Sequence, residues 1–445
     1  MSRCLHSAFR FQKTAAFIGN KLERQPGFEF LRSGRLRSTS PFKQEDRTRS
    51  VSSLQLQSNT CKLTKFGYRL PSTTSYFTHP ANNPGIRYKT YSSAPAVSNI
   101  HHTLRQLRET ATKMPGPISN LDIMKEADAF PYPDKEPEAY KALSDTLFTL
   151  VWKDGQTLGY MLDFVVKKLL ETPLDIRGPV IVDGEKRTVR AFELPTEVER
   201  TALIADLMKF WRENETFDIL KGWRSELWPV YGSNDQVLYS VERSGTGLLG
   251  VMRYGVHMTA YVKDETASYG MKILVAQRAA NKSTYPNMLD NSVAGGLMTG
   301  EDPFECIIRE ADEEADIPEK LMRERAKFTG MVTYIYITDE RAGGEAGQIY
   351  PETQWVYDIE LPADFEPQPK DGEVAGFYLW TVEEVQEKLA EGRFKPNCAL
   401  ILIDFFIRHK IITPENEPDY DEIVRRLHRK LPFPGPHQVG PSTTP

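Results

Sequence analysis

The sequence predicts an α/β (α+β) protein in which a mixed β-sheet is sandwiched by helices, preceded by a smaller α+β domain and a disordered N-terminal arm. Three observations carry this expectation. From residue 248 onward, period-two apolar stretches alternate with helix-period stretches, an order that fits a mixed sheet covered by helices. Residues 118–245 carry a sparser mixture of helical and short strand patterns, and residues 1–115 carry neither. A length of 445 residues holds two domains and a tail, the last at 435–445.

In chain order, the first helical pattern is an amphipathic segment through Met161, Leu162, Phe164, Val165, Leu169 and Leu170. Short strands are expected at 179–182 and 188–194, with Asp183-Gly184 between them as a hairpin signal. Residues 197–213 read as a helix, and Trp223-Arg224-Ser225-Glu226-Leu227-Trp228-Pro229-Val230-Tyr231 as a compact aromatic block. The second domain, 248–434, is expected to place strands at 256–262, 272–278, 329–337, 354–361 and around 377–380, and helices at 382–390 and 399–409. Between them, Asp302 suits an N-cap, Pro303 the first helical position, and Glu305 the return arm of a capping box, so a helix is expected to start there. Phe304, Ile308, Ala311 and Ala315 form its buried stripe.

The net charge of -5 conceals an asymmetry. Residues 1–100 hold 16 Lys/Arg against 4 Asp/Glu, leaving 40 against 57 for the remainder. An acidic body with no basic face around its main motif argues against nucleic-acid binding. The basic arm is rich in Ser, Thr, Pro and Asn, which resembles a mitochondrial presequence with a processing region at Arg87-Tyr88-Lys89-Thr90-Tyr91-Ser92-Ser93. A disordered tail, or a chain whose functional start is Met114, accounts for the same composition; the expected location is the mitochondrial matrix or the cytoplasm. No apolar run reaches spanning length, residues 400–407 being interrupted by Asp404, so no membrane is expected. Cys4, Cys61, Cys306 and Cys398 show no paired or metal-ligand spacing, the pattern of a reducing compartment.

The chemistry concentrates in Gly295-Gly296-Leu297-Met298-Thr299-Gly300-Glu301 and the following Arg309-Glu310-Ala311-Asp312-Glu313-Glu314. On a helix, Glu310, Glu313 and Glu314 share one face. Carboxylates crowded this way repel unless a cation sits among them, and hard oxygen ligands suit Mg²⁺ (or Mn²⁺), with water and phosphate oxygens completing the shell. A solvated acidic face is the ordinary explanation for a glutamate-rich helix, but it does not account for the loop glycines, Glu301 and Arg309 at fixed spacing. The expected partner is therefore a small-molecule diphosphate.

That spacing resembles the box of the Nudix hydrolases: glycine, five residues, Glu, seven residues, Arg-Glu, an apolar residue, any residue, Glu-Glu. The chain departs from the box at Asp316, where a glycine normally permits a left-handed helix end; Asp tolerates that conformation better than most residues. Tyr254-Gly255-Val256-His257-Met258, Lys282-Ser283-Thr284-Tyr285-Pro286 and Phe394-Lys395-Pro396-Asn397 resemble the thiamin pyrophosphokinase-related branch of that family, and the Trp223 block resembles the uncharacterised domain preceding Nudix there. The resemblance covers about residues 125–434 and implies a Nudix α/β/α sandwich. It implies further that Glu310, Glu313 and Glu314 bind metal with the Gly295 carbonyl and an auxiliary Glu301, that Arg309 orients the glutamates, and that Glu310 is a possible base.

Outside the box, Arg278 and Lys282 resemble the diphosphate-binding pair of isopentenyl diphosphate isomerases, although the Cys and His of those enzymes are replaced here by Val293-Ala294-Gly295-Gly296. Glu373, after Asp371-Gly372, is a second candidate base. Trp355 and Trp380 are candidates to stack on a heteroaromatic ring, each also explicable as a core aromatic. Tyr334 and His257 fit buried strand positions as well as cleft positions. The sequence therefore points to a metal-dependent hydrolase of an organic diphosphate, thiamine diphosphate or an oxidised analogue by resemblance. A nucleoside diphosphate such as 8-oxo-dGDP is the rival substrate, and a degenerate ligand-sensing module is the rival class. Nothing in the sequence specifies an oligomeric state.

Overall fold

A computed structural model describes residues 116–438. The first sheet has the order β2-β1-β4-β3, from β1 (Leu147–Val151), β2 (Thr157–Leu162), β3 (Val180–Asp183) and β4 (Thr188–Ala191), with β1 and β4 parallel. Helix Glu197–Glu213 keeps the expected bounds because Thr196 and Glu199 close a reciprocal capping box. It buries Ile204, Leu207, Met208 and Trp211. The aromatic block forms the front of an antiparallel hairpin, β5 (Leu227–Tyr231) and β6 (Val237–Glu242).

The larger sheet is built around β7 (Arg253–Lys263). β8 (Met271–Arg278) pairs with its far end and β10 (Val293–Gly296) with its near end, both antiparallel, while β9 (Leu289–Asp290) pairs with β8. β11 (Lys327–Ile337) pairs antiparallel with β12 (Ile349–Leu361), which runs parallel to β7, and β13 (Val374–Thr381) closes the other edge beside β8. The result is the mixed sheet expected. Alternation along β7 explains its two covered faces: Val256, Met258 and Ala260 join a core with Ile307, Ile308 and Ala311 of helix Pro303–Ala315, whereas Tyr261 meets Phe405 of helix Pro396–Arg408.

Local sequence accounts for the ends of helix Pro303–Ala315. Asp302 caps it by accepting from the Phe304 and Glu305 amides, and Pro303 occupies the first turn. Glu305 does not fold back as a capping box would require; it forms a two-point pair with Arg323 at 2.8 and 2.9 Å. At the other end Asp316 adopts the left-handed conformation (φ 54°) expected where glycine is usual, with Lys370 Nζ at 2.6 Å from its carboxylate.

One expectation changes. The amphipathic run beginning at Met161 is two elements, because Met161 and Leu162 end β2 and the helix starts at Asp163. Leu150, Leu207 and Trp211, from the first expected domain, belong to the same buried cluster as Val256 and Ile307 from the second. The expectations for residues 1–115 lie outside the described residues. Among the described residues, no helix is long and apolar enough to cross a membrane.

Helix Asn120–Ala127 is tied to the C-terminal region by a buried charge cluster. Asp128 accepts from Arg429 Nε at 2.6 Å and from the Ile335 amide at 3.0 Å, with Arg426 Nη1 at 3.6 Å. Removing Arg429 leaves the buried Asp128 with one more distant cation, Arg426, beside the neutral donors Tyr132 and Ile335, and breaking such pairs costs about 3 kcal/mol. Arg429→Ala is therefore expected to lower the urea unfolding free energy by about that amount, as measured by circular dichroism; a change below about 0.5 kcal/mol would show that these remaining partners compensate Asp128.

Candidate active site

The site begins where β10 hands over to helix Pro303–Ala315. Gly295 admits no side chain, since a Cβ there would lie 2.2 Å from the Glu310 carboxyl. A Cβ at Gly296 would lie 2.3 Å from the Trp228 ring. The following loop is fastened to the β5–β6 hairpin, Thr299 donating through its amide to the Leu227 carbonyl (2.8 Å) and through its hydroxyl to Ser240 (2.9 Å). The expected backbone position of Gly295 is thus enforced from both sides.

Arg309 is the hub of the carboxylates. Its Nε donates to Glu301 at 2.9 Å, and its Nη1 donates to Glu310 at 2.8 Å and Glu313 at 3.0 Å. Glu314 turns the other way and accepts from the Ala294 amide at 2.9 Å. Burial pushes the Glu310 carboxyl up to about 7 against the pull of Arg309, with Glu313 adding to the rise. Burial also raises Glu314 well above the carboxylate range, and the nearby Glu310 and Asp290 raise it further.

These features test whether a divalent cation fits. Among the described residues no three Asp, Glu, His or Cys side chains converge in a ready-made cage, because Glu301 and Glu313 are turned onto Arg309. The donor chemistry does fit: Glu310, Glu314 and the Gly295 carbonyl are hard oxygens, and burial raises the proton affinity of both carboxylates, with Glu310 raising that of Glu314 further, in the manner a cation relieves.

Beside the box opens a cleft of about 540 Å³, lined in part by Gly295, Gly296, Glu314, Lys282, Glu373 and Trp228. Lys282 and Glu373 form a close ion pair, and Arg224 Nη1 stands 3.7 Å from the same carboxylate. Burial raises Glu373, but Lys282 and Arg224 outweigh it and hold the carboxyl below its ordinary value. Burial lowers Lys282 despite this partner.

Arg278 also lines the cleft, yet most of its donors are occupied. Nη1 meets Asp290 at 2.6 Å, Nε the Tyr285 carbonyl at 3.0 Å, and Nη2 the Thr284 carbonyl at 2.8 Å. It shapes the loop that carries Lys282. Four hydrogen bonds to protein, the fourth from Nη2 to the Thr284 hydroxyl at 3.3 Å, thus engage all three of its nitrogens and leave one of its five N–H groups for a ligand.

The expectation for Trp355 and Trp380 is corrected, for neither lines the cleft. On β12 the cleft-facing residues are Tyr350, Glu352 and Gln354, so Trp355, one position on, is out of phase with them and packs against Tyr254 with ring centroids 5.9 Å apart. Trp380 lies at the opposite end of the β8–β13 ladder from Arg278 and stacks on Tyr378 at 4.5 Å. Tyr334 reaches the cleft but is fully buried, donating to Glu352 at 2.5 Å. The tryptophan that lines the cleft is Trp228, which the sequence marked only as part of an aromatic block.

Residues 254–399 match the NUDIX domain family, and residues 149–253 match a domain of unknown function, DUF4743. The uncharacterized protein YJR142W of Saccharomyces cerevisiae is 36% identical over 321 residues, covering 71% of this chain and 92% of that protein. Nudix hydrolase 20, chloroplastic, of Arabidopsis thaliana is 37% identical over 235 residues, 52% of this chain and 59% of its own length. Nudix hydrolase 24, chloroplastic, of the same plant is 37% identical over 232 residues, with the same shares. The chain thus spans nearly all of the yeast protein and 59% of each plant protein. The crystal structure of DR0079 from Deinococcus radiodurans is similar at 19% identity and a TM-score of 0.28, over 46% of this chain and all of that one.

His257 yields a pH test. Its Nδ1 lies 2.7 Å from Asn291 Oδ1, and burial, with Lys395 adding, holds the imidazole down to about 4 against the opposing Asp290, Asn291 and Glu352. Unfolding restores the ordinary value near 6.5, so the unfolded chain takes up this proton first as pH falls. The contribution is complete above 6.5 and is lost between 6.5 and about 4. His257→Gln should therefore show a smaller drop in Tm between pH 7 and pH 5 than the unsubstituted protein; parallel drops would remove His257 from the acid response.

Proposed function

The chain belongs to the Nudix hydrolase family, and we propose that it hydrolyses the terminal anhydride of an organic diphosphate to the monophosphate and inorganic phosphate. The observation that carries this reading is the meeting, at one cleft, of Glu314 with Lys282, Arg224 and Arg243, with the Glu310 carboxyl packed against Gly295 of the cleft wall. Acidic oxygens at one part of a cleft and cations at another suit a ligand that is itself anionic and is handled through a divalent metal.

We take the metal to be Mg²⁺, held by Glu310, Glu314 and the Gly295 carbonyl, with Glu313 and Glu301 as reserve carboxylates. When bound, such an ion polarises the phosphoryl oxygens and makes its water a stronger nucleophile. Arg309 fixes the glutamate side chains in place. Glu310 is the favoured base, because its buried carboxyl has a higher proton affinity than Glu373, whose charge is stabilised by two cations. Lys282 is placed to hold phosphate after exchanging Glu373 for substrate.

Thiamine diphosphate or an oxidised analogue is the substrate favoured by the resemblance of residues 252–317 and 394–409, and 8-oxo-dGDP is its rival. The complete set of box carboxylates argues against a degenerate sensing module. We keep the sequence division into 118–245 and 248–434, and the mitochondrial reading of the arm, as parts of the same proposal.

A screen of thiamine diphosphate, its oxidised forms, 8-oxo-dGDP and ADP-ribose, quantifying phosphate and organic product, is expected to give Mg²⁺-dependent turnover abolished by chelation. Glu314→Gln should lower that turnover about a hundredfold without changing the circular dichroism spectrum. Full turnover in that variant at saturating Mg²⁺ would exclude Glu314 from the chemistry. For the arm, import and cleavage are expected in cells; a full-length tagged protein recovered uncut from the cytosol would refute the presequence reading.

A further inference from the structure

The cleft is not made by residues 254–399 alone. Arg224, Trp228 and Arg243 come from the part of the chain that matches the domain of unknown function, and all three line it. Thr299 bonds to Leu227 and Ser240 bring the hairpin directly onto the box loop, and the Trp228 indole occupies the space a Gly296 side chain would fill. This part of the chain is therefore built into the site rather than tethered beside it.

The state of the arginine donors distinguishes the cations of the cleft. Each guanidinium carries five N–H groups. Arg278 spends four of them on protein acceptors. Arg224, by contrast, makes no side-chain hydrogen bond among the described residues, only the 3.7 Å ion pair with Glu373. Arg243 donates through Nη1 alone, to Glu226 at 3.0 Å. It is also close enough to Glu310 and Glu373 to favour the ionised form of both. These two arginines hold donor capacity beside the carboxylates without protein acceptors to fill it.

Trp228 supplies an independent observation. It is only 4% exposed, yet its indole Nε1 has no hydrogen-bond partner. Buried polar atoms are nearly always paired, so an orphan donor in a cleft wall calls for an acceptor brought by a ligand. The Arg243 and Arg253 guanidinium groups stand over this ring at 5.2 and 5.0 Å from its centroid. They take up the ring face as cation–π partners and leave its N–H edge for the ligand.

We propose that Arg224 and Arg243 of the region preceding the NUDIX domain grip the phosphate end of the diphosphate, and that Trp228 Nε1–H donates to the same bound molecule. The proposal rests on the diphosphate reading of the site and names the residues that hold its anion. On binding, the phosphate takes the place of the Glu373 carboxylate beside Arg224 and Lys282. Residues 149–253 thereby become part of substrate recognition.

The test titrates inorganic diphosphate into the full-length protein, calorimetrically, in chelator and again with Mg²⁺. Arg224→Gln and Arg243→Gln are each expected to weaken binding at least tenfold in both conditions, and Trp228→Phe, which keeps the ring but not the donor, by about threefold. With a turned-over substrate, the arginine variants should raise KM more than they lower kcat, and Arg243→Lys should recover part of the loss. Unchanged diphosphate affinity in both arginine variants, or no binding by the unsubstituted protein, would overturn the proposal. Should Arg243→Gln lower Tm by losing its pair with Glu226, the partly exposed Arg224 decides the matter. If the arginines govern diphosphate binding but no organic diphosphate is hydrolysed, the anion grip stands and the hydrolase substrate reading falls.

Discussion

The contacts of one guanidinium organise this site. Arg309 draws Glu301, Glu310 and Glu313 toward itself, and so offsets the repulsion between two carboxylates of one helix and a third from the preceding loop. Charge-assisted hydrogen bonds of this kind are strong because the acceptor is ionised and the donors are fixed in a plane. With Arg309 in place, Glu310 presses against Gly295 and Glu314 is left to face the cleft from its bond with the Ala294 amide. Backbone and side chains then specify each other: the strand end needs glycine because the glutamate is there, and the glutamate stays because the arginine holds it.

The same economy of space joins the two halves of the chain. Gly296 is bare so that Trp228 can lie against it, and the Thr299 bonds register the hairpin on the loop that carries the box. A continuous core from Leu150 and Trp211 through Val256 to Ile307 makes independent motion of the halves costly, since separating them exposes apolar surface from both. The cleft formed in this way is electrically mixed. Asp290 contributes negative charge, Lys282, Arg224, Arg243 and Lys395 positive charge, and Glu314 a carboxyl whose burial favours its protonated form. Glu373 sits among the cations as an internal counter-ion, the position an anionic ligand is expected to contest.

Much of the fold was legible from local pattern. The helix ends at 197–213 and 382–390 matched their expected positions because capping residues and apolar period act within a single element. Asp302, Pro303 and Asp316 behaved as their backbone preferences required. Glu305 did not, because Arg323, brought from the next helix, offered a two-point ion pair stronger than a bond back to its own helix start. Within the site, the box residues were legible because their spacing is their geometry: positions three and four apart on a helix share a face whatever surrounds them.

Sequence by itself determined the carboxylate face, the glycine pair before it and the mixed sheet that presents them, since each follows from contacts between near neighbours or from a strand's own alternation. Tertiary structure decided which outer residues meet the cleft. Arg278 and Lys282 look equivalent in sequence, yet Asp290 and two carbonyls anchor the first, and Glu373, from just before β13, pairs with the second. Trp355 and Trp380 were the obvious rings by position, but strand phase turned one away and distance along the ladder removed the other. Trp228 takes their place because a hairpin remote in sequence lands on Gly296, and no local pattern encodes a contact whose two sides are set by separate elements.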